Sequence, residues 1–300
     1  MHLVSSSRAV IAIFVVGIGL ICSSASAQLL MMPDSTNNRI VTFDANTGAV
    51  VNPNFFALAA GTPVHAMQVG QEIWVSEQIG DRISRWSMTG TSLGAITGAL
   101  DNVRGMEQVG NTVYLATTGT ANGAPGRAVA MFDTAGASQG NFATPLSSGF
   151  GILFHNGDLL VSSDTANDDI HVYSTTGADK GTFHNSTGLN FAEQMDHAVN
   201  GDVLVAGFST NQVARLDPTN GNILSTFAAS GARGVHQLGN GNIMWTSGTG
   251  AFVFDVTTGQ STLVYSGGGR FIDVLNVPEP ATGFAFAGSI ALLALRSRRR

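Results

Sequence analysis

Six times along the chain an apolar or aromatic run closes on a polar turn that ends in glycine. The copies are IVTFDANTG ending at Gly48, ISRWSMTG at Gly90, AVAMFDTAG at Gly136, IHVYSTTG at Gly177, VARLDPTNG at Gly221 and FVFDVTTG at Gly259. Successive glycines stand 42, 46, 41, 44 and 38 residues apart, a period typical of stacked supersecondary units. A unit of that size cannot bury both of its faces alone, so neighbours must stack and share a core.

Each unit has the same internal order. In the second, Val64–Val69 reads as strand a, Ile73–Glu77 as strand b, Arg82–Ser87 as strand c and Ser92–Thr97 as strand d. Strand b recurs at Val113–Thr117, Leu159–Ser163, Val203–Gly207 and Ile243–Ser247. These runs are short, β-branched or aromatic, and punctuated by Gly, Asn, Asp and Thr. Four short strands per unit predict an all-β, six-bladed β-propeller. A two-sheet sandwich would not need six equal units. The first unit lacks strand a, since Leu30-Met31-Met32 aligns with strand b, while Arg270–Leu275 is left over at the other end. The first blade is therefore expected to be split, with the C-terminal strand closing the ring and hiding its edges. Pro33 removes one ladder hydrogen bond, which predicts a strand end or a bulge there.

The two ends of the chain carry a different signal. Residues Met1 to Ala27 have one cation, Arg8, an apolar run from Ala9 to Cys22, and small residues ending Ala25-Ser26-Ala27. That three-part layout predicts a signal peptide cut by signal peptidase after Ala27. The only cysteine, Cys22, leaves with it, and a bulky Ile21 before it argues against lipidation. At the other end Val277-Pro278-Glu279-Pro280 precedes an uncharged run, Ala281–Leu295, and then Arg296, Arg298, Arg299 and Arg300. The run predicts a short transmembrane helix, with the arginines held on the cytoplasmic side. Three segments follow: 1–27 leader, 28–277 propeller, 278–300 sorting and anchor segment.

This tail resembles the PEP-CTERM sorting signal of Gram-negative bacteria. The resemblance implies recognition through Pro278, Glu279 and Pro280, removal of the tail by an exosortase-like enzyme, and transient anchoring before display at the cell surface. It also implies a host that makes extracellular polysaccharide. The body resembles NHL-, YVTN- and strictosidine-synthase-like propellers, though none of their signatures is intact.

Of the 14 Lys and Arg, five lie in the ends; of the 20 Asp and Glu, only Glu279 does. The body thus holds nine cations against nineteen carboxylates, a net charge of −10. That balance excludes nucleic acid as a partner, because binding it depends on cationic contacts. A closed ring of this kind is expected to act as a monomer.

Inner strands line the central channel of a propeller, so equivalent positions form rungs. Counting back from each strand b places Val64, Arg104, Phe150, Gln194, Arg233 and Arg270 on one rung. Arg104, Arg233 and Arg270 are candidates to bind an anionic or carbohydrate ligand. Three residues further on stand Met67, Glu107, Leu153, His197, His236 and Asp273. Glu107, His197, His236 and Asp273 mix imidazole and carboxylate in a way that suits a divalent metal. Arg104–Glu107 and Arg270–Asp273 are alternatively ordinary ion pairs. The sugar-lactonase-like propellers, which the body is similar to on this point, hold a metal in the channel. No nucleophile elbow, metalloprotease helix or phosphate-binding loop is present. The leading expectation is a cell-surface or exopolysaccharide-matrix propeller acting as a binding or structural module with no required cofactor. Its partners would be polysaccharide or another surface protein. The alternative is a metal-dependent extracellular hydrolase or lyase.

Overall fold

The computed structural model describes residues 27–164 and 170–277. Within it, Gln28–Val277 forms one compact unit. It is a six-bladed β-propeller, with six four-stranded sheets arranged as six blades. In blade 2 the strands are a, Pro63–Val69; b, Glu72–Glu77; c, Arg82–Ser87; and d, Ser92–Ile96. Every neighbouring pair in that blade is antiparallel. Strand b of blades 5 and 6, Val203–Gly207 and Ile243–Ser247, has the boundaries the repeat predicts.

The glycine that ends each repeat sits in the turn between strands c and d. All six have positive φ, from 70° at Gly221 to 92° at Gly136, the region where a side chain is strained and glycine is not. Each donates its N–H back to the Asp or Ser that ends strand c or directly follows it, as Gly48 does to the Asp44 carbonyl at 2.8 Å and Gly177 to that of Ser174 at 2.9 Å. The repeat recognised in the sequence is this turn.

Blade 1 is split. Strands b (Ala27–Asp34), c (Arg39–Asp44) and d (Val50–Ala57) come from one end of the ring, and strand a (Asp273–Val277) from the other. The closing strand lies a few residues later than the expected Arg270–Leu275. The stretch before it also clasps blade 1, with the Arg270 N–H donating to the Pro33 carbonyl at 3.1 Å and Asp34 bridging Gly269. Pro33 is the penultimate residue of its strand, paired with Ile40 in unbroken register. The strand end is observed and the bulge is not.

Apolar side chains fill the six spaces between blades. Trp74 and Ile83 of blade 2 pack on Leu115 and Phe132 of blade 3, and Leu30 and Phe43 of blade 1 meet Met244 and Ala251 of blade 6. A seventh cluster, Val64, Phe150 and Phe271, fills the middle of the ring.

Around the axis the inner strands are linked by a closed belt of hydrogen bonds in which two kinds of step alternate. In one, the backbone reaches the next blade directly. Gly105 donates to the Phe150 carbonyl at 2.9 Å, Gln194 to that of Arg233 at 3.1 Å and Phe271 to that of Val64 at 3.1 Å. In the other, a strand-b hydroxyl makes the link: Ser76 to the Arg104 carbonyl, Ser162 to that of Glu193 and Thr246 to that of Arg270, at 2.5–2.7 Å. Inner strands approach so closely that a Cβ on Gly151 would lie 2.3 Å from the Glu193 carbonyl oxygen, and one on Gly234 2.4 Å from that of Arg270.

Among the described residues no helix is long and apolar enough to cross a membrane. The leader, and the tail with Pro278, Glu279, Pro280 and the arginines from Arg296 to Arg300, lie outside the described residues. Val277 is the last residue of the closing strand.

Candidate functional site

Residues three apart on a regular strand point to opposite faces, so one strand should not supply two rungs at that spacing. Register shifts resolve the conflict. Blades 2, 4 and 5 break their a–b ladders between Pro63 and His65, Gly149 and Ile152, and Ala192 and Met195. Each break lies where the first rung gives way to the second, and the extra residue turns the strand back toward the axis.

Arg104, Arg233 and Arg270 stand on the first rung, as expected, but the carboxylate among them is Glu193 rather than the amide Gln194. Blade 5 has one more residue than blade 2 in its a–b turn, Asn200-Gly201-Asp202, and this moves its whole inner strand by one position. Glu193 is 1% exposed and sits in the field of all three guanidiniums. Burial pushes its pKa up to about 7, against the opposing pull of Arg233, Arg270 and Arg104. Burial likewise brings Arg270 down to about 10, with Arg233 adding to the effect. Arg104 is buried too, and its Nη1 donates to Ser148 Oγ at 2.7 Å, the Gly149 carbonyl at 3.2 Å and Asp164 Oδ2 at 3.2 Å. Arg270 Nε donates to Ser35 Oγ at 3.1 Å. Glu193 Oε2, Arg104 Nε and Arg233 Nε are buried without a hydrogen-bond partner among the described residues. Buried polar atoms are rarely left so, and such atoms in a native fold call for a specific explanation.

Aromatic rings pack against these arginines. The Arg104 guanidinium lies 4.3 Å from the Phe150 ring centroid and that of Arg233 4.9 Å from Phe208. Phe191 bridges them, 5.4 Å from Phe150 and 5.0 Å from Phe208. Phe191 has φ 54°, an outlier for a bulky side chain. It stands two residues before the rung, a position with positive φ in four blades. The other three occupants are Thr62, Asn102 and Gly231. Holding phenylalanine there costs about 1–3 kcal/mol, so its side chain rather than its backbone accounts for its place.

The second rung is also one residue off in blade 5. Asp196, not His197, joins Glu107, His236 and Asp273 around a cavity of ≈ 80 Å³ in which His65 takes part. His197 is exposed, and its Nε2 lies 3.0 Å from His155 Nδ1. Asp196 Oδ2 lies 2.6 Å from His236 Nδ1; burial opposes the charge on that imidazole, yet the Asp196 hydrogen bond holds its pKa above the ordinary value. His65 Nδ1 accepts the Met106 N–H at 3.0 Å, which puts its proton on Nε2, 3.3 Å from Asp273 Oδ2. Burial, then repulsion from Asp273 and Asp196, raises Glu107 to about 8. The rung is thus two histidine–aspartate pairs beside a carboxyl that stays protonated at neutral pH. Among the described residues no group of three or more His, Cys, Asp or Glu side chains converges as a metal site. Arg104 pairs with Asp164 rather than Glu107, and Asp273 lies against His65 rather than Arg270.

No family model and no curated protein matches the chain. Solved structures match as folds. A protein of unknown function from Bacteroides caccae superposes with a TM-score of 0.64 at 16% identity, over 83% of this chain and 99% of its own. A chain of a nidogen/laminin complex gives 0.69 at 13%, over 82% and 98%. Virginiamycin B lyase from Staphylococcus aureus gives 0.54 at 11%, over 81% and 79%. The class is the six-bladed propeller, shared by proteins of different activity.

Proposed function

We propose that this chain is an exported, surface-displayed propeller that acts as a binding module and takes an anionic group at the arginine mouth of its channel. One observation carries the reading: among the described residues three guanidiniums meet only two carboxylates, Glu193 and Asp164, and two of the guanidiniums keep an unpartnered Nε. Asp164 neutralises only part of the surplus. In a body of net negative charge, this concentration of cations is local.

The test is calorimetric titration of the full chain with dextran sulfate at low and high salt. Binding should weaken with salt and fall about tenfold or more in an Arg233→Ala, Arg270→Ala double variant, each tenfold being ~1.4 kcal/mol. Unchanged affinity in that variant would remove the assignment. Export and sorting rest on the leader and the Pro-Glu-Pro tail. Mass spectrometry of the protein from its own host should show a mature species lacking Phe284 to Arg300, and an intact Arg300 on that species would end the processing proposal. The metal-dependent hydrolase or lyase has less support, because the second-rung carboxylates and histidines pair with one another.

A further inference from the structure

We infer that the ligand of the arginine mouth is an acidic sugar residue, one that carries a carboxylate and free hydroxyls on a pyranose ring. The inference rests on the anion-binding reading above and narrows it. Three features of the mouth ask for three different properties in one ligand.

The unpartnered Nε atoms of Arg104 and Arg233 are donors and ask for an anion. Guanidinium edges match the planar, two-oxygen geometry of a carboxylate. Glu193 Oε2 asks for the opposite. It is a buried acceptor without a donor, and a bare anion brought among the arginines would face it with like charge. A ligand hydroxyl beside the carboxylate satisfies it, because the hydroxyl donates where the carboxylate cannot. The third feature is apolar. Phe191 and Phe208 lie side by side at the mouth, and Phe191 stands at a strained position filled by Thr62, Asn102 and Gly231 in other blades. The C–H face of a pyranose ring is the apolar surface that a uronic acid offers to such rings. Sulfate or phosphate has no such face, and a neutral sugar has no charge for the arginines.

The experiment titrates the full chain with tetraglucuronate, with cellotetraose as the uncharged counterpart, and with inorganic phosphate as the ringless anion. Tetraglucuronate should bind at least about tenfold tighter than either. Phe191→Asn uses a residue that Asn102 shows to fit this backbone. It should weaken tetraglucuronate about tenfold and leave phosphate unchanged, which a general loss of folding would not do. Titrated at pH 8, above the Glu193 pKa of about 7, Glu193→Gln removes the like charge, so phosphate should bind tighter while the advantage of tetraglucuronate shrinks. Equal affinity for phosphate and tetraglucuronate would overturn the sugar assignment and leave the anion site standing. Equal affinity for cellotetraose and tetraglucuronate would overturn the role of charge, and with it both readings. Absence of binding by all three probes would also overturn both.

Discussion

Two carboxyl groups in the channel keep their protons above the ordinary range because both are buried, but their charged neighbours act in opposite directions. Glu193 is buried among cations that partly restore its charge; Glu107 is buried beside Asp273 and Asp196, which oppose it. Glu107 also faces His65 and His236 across the cavity. Its folded pKa of about 8 lies above the unfolded value of 4.5. Between those values the folded chain holds a proton that the unfolded chain has lost, so this group makes stability fall as pH rises. Urea unfolding between pH 5 and 8 should show that decline, and Glu107→Gln should flatten it. An unchanged slope in the variant would disprove the assignment. Much of the channel was legible at this scale: Arg104, Arg233, Arg270, Glu107, His236 and Asp273 line it as counted. Glu193 and Asp196 were missed through one turn residue. The signal was in the sequence, since Asn200-Gly201-Asp202 matches the longer Asn240-Gly241-Asn242 turn of blade 6. What the repeat could not reveal is the bulge that lets both rungs face inward, because it alters pairing and not composition.

At the scale of elements, the inner strands depend on contacts that no single blade can make. Ser162 is buried; it accepts the Gly151 N–H at 2.7 Å and donates to the Glu193 carbonyl of the next blade at 2.7 Å. Ser162→Ala strands two buried backbone groups, which costs about 1–3 kcal/mol each before relaxation. The alanines at equivalent places, Ala116 and Ala206, belong to blades whose backbones make the step themselves. Denaturant midpoints should therefore fall for Ser162→Ala and for Ser76→Ala, whose hydroxyl makes the same two bonds. A silent Ser162→Ala would show the belt to be incidental. The strands themselves were readable from alternation and turn residues, and the split blade from a unit lacking one strand. The hydroxyl relay was not, because Ser76 and Arg104 are remote in sequence and meet only once the ring has closed.

Taken whole, the ring is a set of six blades that the chain enters and leaves between strands a and b of blade 1. The first and last strands of the described body lie together there, with Gln28 Nε2 donating to Asn276 Oδ1 at 3.2 Å. Every other blade joins those strands by a short turn; Val69 and Glu72, for example, are opposite partners across Gly70 and Gln71. The point at which the chain enters the ring is therefore arbitrary with respect to the fold. Splicing Val277 to Gln28 through a few glycines would supply the one a–b turn the ring lacks. New ends cut in the exposed c–d turn at Thr257–Thr258 would interrupt neither the belt nor the channel. Such a circular permutant should unfold with nearly the same midpoint and keep the arginine mouth intact, and a collapse in its stability would mean that the order of the blades along the chain matters as much as their order around the axis.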